Sequence, residues 1–98
     1  MMVIISKATI NQFIENHPRA KDPLLDWYIK TKESDWANVT DVRKVFRTAD
    51  YVGNDLFVFN IKGNSYRLIA RIIFGARTVF IRFIGTHAQY DQVILSRL

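Results

Sequence analysis

Three arginines, Arg67, Arg71 and Arg82, precede a Thr86-His87-Ala88-Gln89-Tyr90-Asp91 segment in the second half of the chain. Guanidinium groups are planar and offer paired donors that match two oxygens of a phosphate. A histidine titrates near neutrality and takes or gives a proton there. On a helix, His87, Tyr90 and Asp91 stand at i, i+3 and i+4 and so share one face. Arginines beside a His and a Tyr are the parts needed to hold a phosphate and move protons around it. Tyr90 acts as a base only where positive charge stabilises its phenolate; otherwise it orients or donates. A plain packing stripe of Tyr90 with Val93 and Ile94 is the structural alternative. His17 and His87 lie far apart, cysteine is absent and the carboxylates are scattered, so neither a metal site nor a cofactor is expected. His17, in a helix-ending His-Pro pair, is given no role.

The arginines converge only if strands place them on one face. Alternation of apolar and polar residues predicts strands over Leu56–Lys62, Ser65–Phe74 and Arg77–Ile84, with turns at Gly63-Asn64 and Gly75-Ala76. A two-residue loop at Gly63-Asn64 sets Ile61 opposite Tyr66 and Asn60 opposite Arg67, and opposed residues point to the same side. One face then carries Phe57, Phe59, Ile61, Tyr66, Leu68, Ala70, Ile72 and Phe74. The other carries Asn60, Lys62, Arg67 and Arg71, with Val58, Ile69 and Ile73 between them. An even second loop adds Val79, Ile81 and Phe83 to the apolar face and Arg82 to the arginine face. An odd loop reverses this assignment. The even loop leaves one face free of charge, and so predicts a half-apolar trough lined by Arg67, Arg71 and Arg82. The structural alternative is arginine stems covering apolar surface, with their heads in water.

Charge distribution supports the trough. Of 14 basic and 9 acidic residues (net +5), residues 1–50 hold eight and seven, whereas residues 51–98 hold six and two. No acid occurs from Leu56 through Tyr90, while Lys62, Arg67, Arg71, Arg77 and Arg82 recur with Tyr66, Phe74, Phe80, Phe83 and Tyr90 interleaved. That pattern points to a polyanion, nucleic acid first, although strand edges solvated by arginine have the same composition.

The first half supplies the scaffold. Met1–Ile5 reads as a strand, and Ser6 to about Asn16 as a helix with Ile10, Phe13 and Ile14 at helical spacing. A second helix is expected with Asp22 as N-cap and Pro23 at its first position, and a short helix or turn over Thr40–Phe46. Thr86 and Gln89 match a capping box for a helix after the third strand. The 98 residues suit one domain, residues 1–98, with a single core. The 49% hydrophobic content excludes disorder, and zero cysteines exclude a disulfide scaffold. Apolar runs are far shorter than the roughly 20 residues of a membrane span, and Met1–Ile5 is too short for a signal peptide, so a soluble cytoplasmic protein is expected.

Residues 57–91 resemble the HigB toxins, RelE-like members of bacterial type II toxin–antitoxin systems. The likeness is carried by Phe59-Asn60-Ile61-Lys62-Gly63-Asn64-Ser65-Tyr66-Arg67, by a second strand arginine and by Thr86-His87-Ala88-Gln89-Tyr90-Asp91; the strand-then-helices order of residues 1–56 extends it over the chain. The resemblance implies an α+β fold with a small antiparallel sheet and helices packed on one face. It implies an mRNA interferase acting on ribosome-bound mRNA and neutralised by a HigA-type helix-turn-helix antitoxin. Arg67 and Arg82 fall on the family's strand arginines, and His87 and Tyr90 on its THxxYD motif.

Together these readings predict a metal-independent endoribonuclease that uses Arg67, Arg82, His87 and Tyr90 for catalysis, with Asn60, Lys62, Asn64 and Arg71 contacting RNA. Which of His87 and Tyr90 is base and which acid stays open. With no room for a separate recognition domain, specificity is expected to be borrowed from the ribosome. The alternative is a non-catalytic basic module that binds RNA or the ribosome through the same trough; it explains the charge but not the His87/Tyr90 placement. A third possibility, an adaptor that binds only protein, predicts little salt dependence of RNA association.

Overall fold

The computed structural model describes residues Met1–Leu98. The chain runs β1 (Val3–Ile5), α1 (Lys7–Asn16), a 3-10 turn (Pro18–Ala20), α2 (Lys21–Glu33), α3 (Val39–Val45), β2 (Asp50–Tyr51), β3 (Leu56–Ile61), β4 (Tyr66–Ile73), β5 (Thr78–Thr86) and α4 (His87–Tyr90). The strands form one sheet in the order β1-β5-β4-β3-β2. The α+β architecture and the packing of α1, α2 and α3 on one face agree with the sequence reading. The sheet itself is mixed: β1 lies parallel to β5, pairing Val3 with Thr78 and Ile5 with Phe80. Hairpin logic reaches only strands adjacent in sequence, so neither this distant pairing nor the two-residue β2 was visible in it.

Local chemistry sets the helix ends. Pro18 disfavours helix at His17 and stops α1 there. The 3-10 turn over Pro18–Ala20 then feeds directly into α2, which begins at Lys21 with Ala20 as its cap. Asp22 therefore sits in the first turn of α2, where its charge suits the helix dipole, and does not cap it. Pro23 costs no bond at the third helical position, because the first four N–H groups have no intrahelical partner. In α3 the Asn38 side chain accepts from the Asp41 N–H at 2.9 Å, and the Asp41 carboxylate accepts from the Ala37 N–H at 2.9 Å. This reciprocal cap starts the helix at Val39, one residue before the predicted Thr40.

The main core brings Ile10, Leu24, Trp27, Trp36 and Val42 against Phe57, Phe59, Ile61, Leu68, Ala70 and Ile72 of the sheet. Fully burying one such side chain contributes about 1.5–3 kcal/mol, so this layer dominates the favourable side of folding. The β3–β4 register is as expected, with Asn60 opposite Arg67 and Ile61 opposite Tyr66. The β4–β5 turn is longer than expected, a 3-10 turn over Phe74–Ala76 followed by Arg77 in the left-handed region (φ 50°). It is still even, so Arg71 faces Phe80 and Ile72 faces Val79.

Farther along β5 the simple alternation fails. A bulge between Ile69 and Ala70 sets Ile81 opposite Ala70 and Phe83 opposite Ile69, leaving Arg82 as the extra residue. Beyond it the faces exchange. Ile84 packs on the main core, and Phe83, expected on that side, packs on the opposite one.

That opposite face is not an open trough. Leu56, Val58 and Ile69 are buried there beneath Phe83, Tyr90, Val93, Leu95 and Leu98. The last dozen residues fold back across the sheet and fill the apolar part of the predicted groove, because three bare aliphatic side chains in a row are worth covering. Tyr66 and Phe74 pack on the helical side, so the aromatics interleaved with the arginines are mostly core residues.

Candidate active site

Arg67 projects from β4 on the face away from α1–α3, opposite Asn60 on β3 and Gly85 on β5. Its guanidinium donates to the Asn64 side-chain oxygen at 3.3 Å and to the Tyr66 carbonyl at 3.3 Å. It also lies over the Tyr90 ring, 5.7 Å from the centroid. Residues from the β3–β4 turn, β4 and α4 therefore meet at one guanidinium. Lys62 and Gly63 enter that turn with φ of 53° and 61°, and the Ser65 N–H closes it on the Lys62 carbonyl at 3.1 Å. Gly63 takes this left-handed conformation without steric cost, which is one reason for a glycine beside Asn64.

The other side of the site is built by the turn from β5 into α4. Thr86 accepts from the Gln89 N–H at 3.2 Å, and the Thr86 N–H donates to the Gln89 side chain at 2.9 Å. This is the expected capping box, and it sets His87 at the first position of α4. Gly85 is needed immediately before it. A Cβ at this position meets the Phe83 ring tip and lies 2.8 Å from Gln89 Oε1. Ring and amide thus pack against bare backbone where strand becomes helix.

His87 is exposed, with Nε2 3.8 Å from an Asp91 carboxylate oxygen. Tyr90 is half-buried, its ring held between the Arg67 guanidinium and the second apolar cluster. The packing stripe read for Tyr90 is therefore present, with the Arg67 guanidinium over the other side of its ring.

The remaining arginines lie farther off. Arg71 is four residues along β4 from Arg67, about 13 Å at strand rise, and donates to the Asn54 carbonyl at 2.6 Å. The exposed Arg82 keeps its guanidinium over the Phe80 ring, 5.9 Å from the centroid, on the strand position facing Arg71. The sheet thus gathers Asn64, Arg67 and Tyr90 at one end, with His87 following Thr86 beside them, and sets Arg71 and Arg82 toward the other. Asn60 and Lys62 are exposed on the rim.

Arg77 leaves the cationic series altogether. It binds Asp35 at 2.8 Å and the Phe74 carbonyl, and the same carboxylate lies 3.5 Å from the N-terminal ammonium. Hydrogen bonding to Arg77, aided by the charge of the N-terminus, holds the Asp35 carboxyl below its usual range. His17 stacks on Phe13 at 4.1 Å and meets Tyr66 edge-on at 5.8 Å, a bracing role for the β4 end.

A cavity of about 240 Å³ was absent from the sequence reading. It is lined by Val45, Phe46, Arg47, Thr48, Ala49, Phe59 and Asn60, on the outer side of β3. The signal was Arg43-Lys44-Val45-Phe46-Arg47, with three basic residues in five, hidden by the near-neutral charge of the first half. No three His, Asp or Glu side chains are grouped so as to hold a metal ion. No helix is long and apolar enough to cross a membrane.

Fold and site define a small basic α+β protein with an arginine, a tyrosine and a histidine grouped at one end of a sheet. Residues 20–93 match the family model of the HigB toxin, described as the RelE-like toxic component of a toxin–antitoxin system, and the chain belongs to that family. It is 32% identical over 94 residues to the mRNA interferase HigB of Escherichia coli O6:H1, covering 94% of this chain and 91% of the relative. It is 26% identical over 93 residues to the mRNA interferase toxin HigB of Escherichia coli K12, covering 92% and 88% respectively. A HigB of Shigella flexneri, also named an mRNA interferase, matches at the same 26%.

Proposed function

We propose that this chain is an endoribonuclease toxin that cleaves mRNA by internal transesterification, the step carried by its own side chains. The observation that supports this most is the fixed Arg67, held by Asn64 and by the Tyr90 ring beside the start of α4.

In the reaction the RNA 2′-OH loses its proton and its oxygen bonds to the adjacent phosphorus. The bond from phosphorus to the 5′-oxygen breaks, and that oxygen takes up a proton. The products are a 2′,3′-cyclic phosphate and a free 5′-OH. Negative charge grows on the non-bridging oxygens in the transition state, and Arg67 stabilises it; the exposed Arg82 adds its charge there only by leaving the Phe80 ring and swinging toward Arg67. His87 and Tyr90 divide the roles of base and acid. The imidazole of His87 is exposed to substrate, and the Tyr90 ring is held in place beneath the Arg67 guanidinium. Asn60, Lys62, Asn64 and Arg71 hold the flanking RNA.

Further parts of the reading rest on family membership: mRNA is taken on the ribosome, in the cytoplasm, and a HigA-type helix-turn-helix antitoxin neutralises the toxin. A basic site invites an acidic segment that blocks it.

The test replaces the 2′-OH at a mapped cleavage position by 2′-H in an otherwise unchanged mRNA on the ribosome. That mRNA is expected to stay intact at the position, and cleavage there rules the mechanism out. His87→Ala is expected to keep RNA association and lose cleavage and toxicity; a fully toxic His87→Ala protein removes His87 from the chemistry.

A further inference from the structure

The cavity beside β3 adjoins the site, and its chemistry is that of a ring-binding pocket. Strand β2 is only two residues long and pairs Asp50 with Val58 and Tyr51 with Phe57. Beyond Val58 the outer edge of β3 has no neighbouring strand. The Val52 N–H reaches the Leu56 carbonyl at 2.9 Å, so the polar groups of Leu56 face outward. Strand alternation turns those of Val58 and Asn60 the same way. The Asn60 N–H and C=O accordingly point off the sheet past the end of β2, and no backbone partner meets them.

At that point the pocket opens. Its inner wall is apolar, with Phe46, Phe59 and Ala49, and the exposed Arg47 and Thr48 stand at its outer side. Phe46 is held edge-on by Phe59 at 5.3 Å and by Trp36 at 6.0 Å, and with Phe59 and Ala49 fully buried it is the aromatic surface that the pocket offers. A volume of about 240 Å³ is below the roughly 300–1,000 Å³ of pockets for drug-sized ligands. It suits one ring system.

We propose that this pocket takes a single unstacked RNA base next to the cleaved bond. Phe46, backed by the buried Phe59, forms the aromatic wall, the Asn60 backbone N–H and C=O pair with the base edge, and Arg47 meets a flanking phosphate. Unstacked bases recognised by aromatic walls and edge hydrogen bonds are the usual route to sequence choice in single-stranded RNA. Position argues for the same ligand. Asn60 lies directly opposite Arg67 across the β3–β4 ladder, so one nucleotide strand can pass from Arg67 over the β3 edge into the pocket. The inference rests on the reading of the chain as an RNA-cleaving toxin, and it assigns to the toxin itself part of the sequence preference.

The test expresses the toxin and maps RNA 5′-OH ends across the transcriptome for wild type, Arg47→Ala and Thr48→Trp, with Arg67→Ala as the inactive reference. Arg47→Ala removes the phosphate contact, and Thr48→Trp fills the pocket mouth. Both alter exposed residues, and thermal unfolding checks that each variant folds. Wild-type cuts are expected to show a base bias at one fixed position beside the cut. Thr48→Trp reduces that bias by about tenfold, the scale of one lost base-stacking contact, whereas Arg47→Ala lowers cutting at all sites alike and keeps the bias. Absence of wild-type cuts rejects the RNA-cleaving reading and the pocket with it. Cuts with the same neighbouring base frequencies in wild type and Thr48→Trp reject the pocket alone. Unchanged frequencies with weakened antitoxin binding assign the β3 edge to a protein strand instead, and also overturn the proposal.

Discussion

The Arg67 guanidinium and the Tyr90 ring lie 5.7 Å apart, a strand residue and a short-helix residue joined by a cation–π contact. Such a contact contributes about 0.5–1 kcal/mol at exposed positions and more when shielded. It makes Tyr90 both a structural clamp on the arginine and a candidate for proton transfer, and two substitutions separate these. Tyr90→Phe keeps the ring and is expected to leave the melting temperature near that of wild type while slowing cleavage about 100-fold, the lower end for a lost acid or base. Tyr90→Ala loses both functions. Equal cleavage by wild type and Tyr90→Phe assigns Tyr90 to packing alone.

Asn64 steadies the same guanidinium from the β3–β4 turn, at 3.3 Å. Asn64→Ala frees Arg67 to sample other rotamers without removing its charge. RNA association is expected to weaken modestly through the lost Asn64 contact, whereas single-turnover cleavage at saturating RNA falls about tenfold, consistent with a loss of positioning. Addition of salt is expected to weaken binding of both proteins equally.

Gly85 has no room for a side chain, because a Cβ there lies 2.8 Å from Gln89 Oε1 and meets the Phe83 ring. Gly85→Ala must displace the capping box, Phe83 or both. The expected cost is about 1–3 kcal/mol, the range for overpacking, measured by urea unfolding. Cleavage is expected to fall further than stability alone explains, since His87 and Tyr90 are set by the same turn.

Ile69 is fully buried between the sheet and the folded-back C-terminal residues. Ile69→Ala is expected to destabilise the protein by about 2–5 kcal/mol. Leu95→Ala, at a half-buried position in the same cluster, is expected to cost less, roughly 1–2 kcal/mol for partial loss of burial. Both loosen the ground beneath Tyr90. Wild-type stability after Leu95→Ala would show that the C-terminal residues do not pack there.

Asp35 supplies a pH dependence. Its folded-state pKa is lowered, first by the hydrogen bond from Arg77 and then by the N-terminal charge. The unfolded chain therefore binds the proton first as pH falls. The contribution is complete above the unfolded value and is lost as pH falls through the carboxylate range to the lower folded one. The pair is solvent-exposed and screened, so Asp35→Asn is expected to cause a small loss at pH 7 that vanishes at the acid end. Added salt narrows the difference between the two proteins.

Neighbouring residues carried much of this structure in plain view. The even hairpin between β3 and β4, the capping box at Thr86 and Gln89, and the division of β4 into an apolar face and an arginine face follow from alternation and turn chemistry, which act over a few residues. The motifs from Asn60 to Arg67 and from Thr86 to Asp91 likewise pointed to the HigB family before the fold was known. Interactions between distant segments decided the rest. The bulge at Arg82 turned Phe83 away from the helices, and no residue within that strand announces a one-residue slip. The C-terminal residues covered Leu56, Val58 and Ile69, turning an expected open trough into a small cationic end-site; only the returning chain shows which exposed aliphatic face it covers. Asp35 drew Arg77 out of the basic series from 42 residues away. Sequence thus determined which side chains share a face along β3 and β4, because sheet geometry is local where no bulge interrupts it. Tertiary structure decided which of them meet, because Arg67, Asn64 and Tyr90 are brought together by three separate elements packed on one sheet.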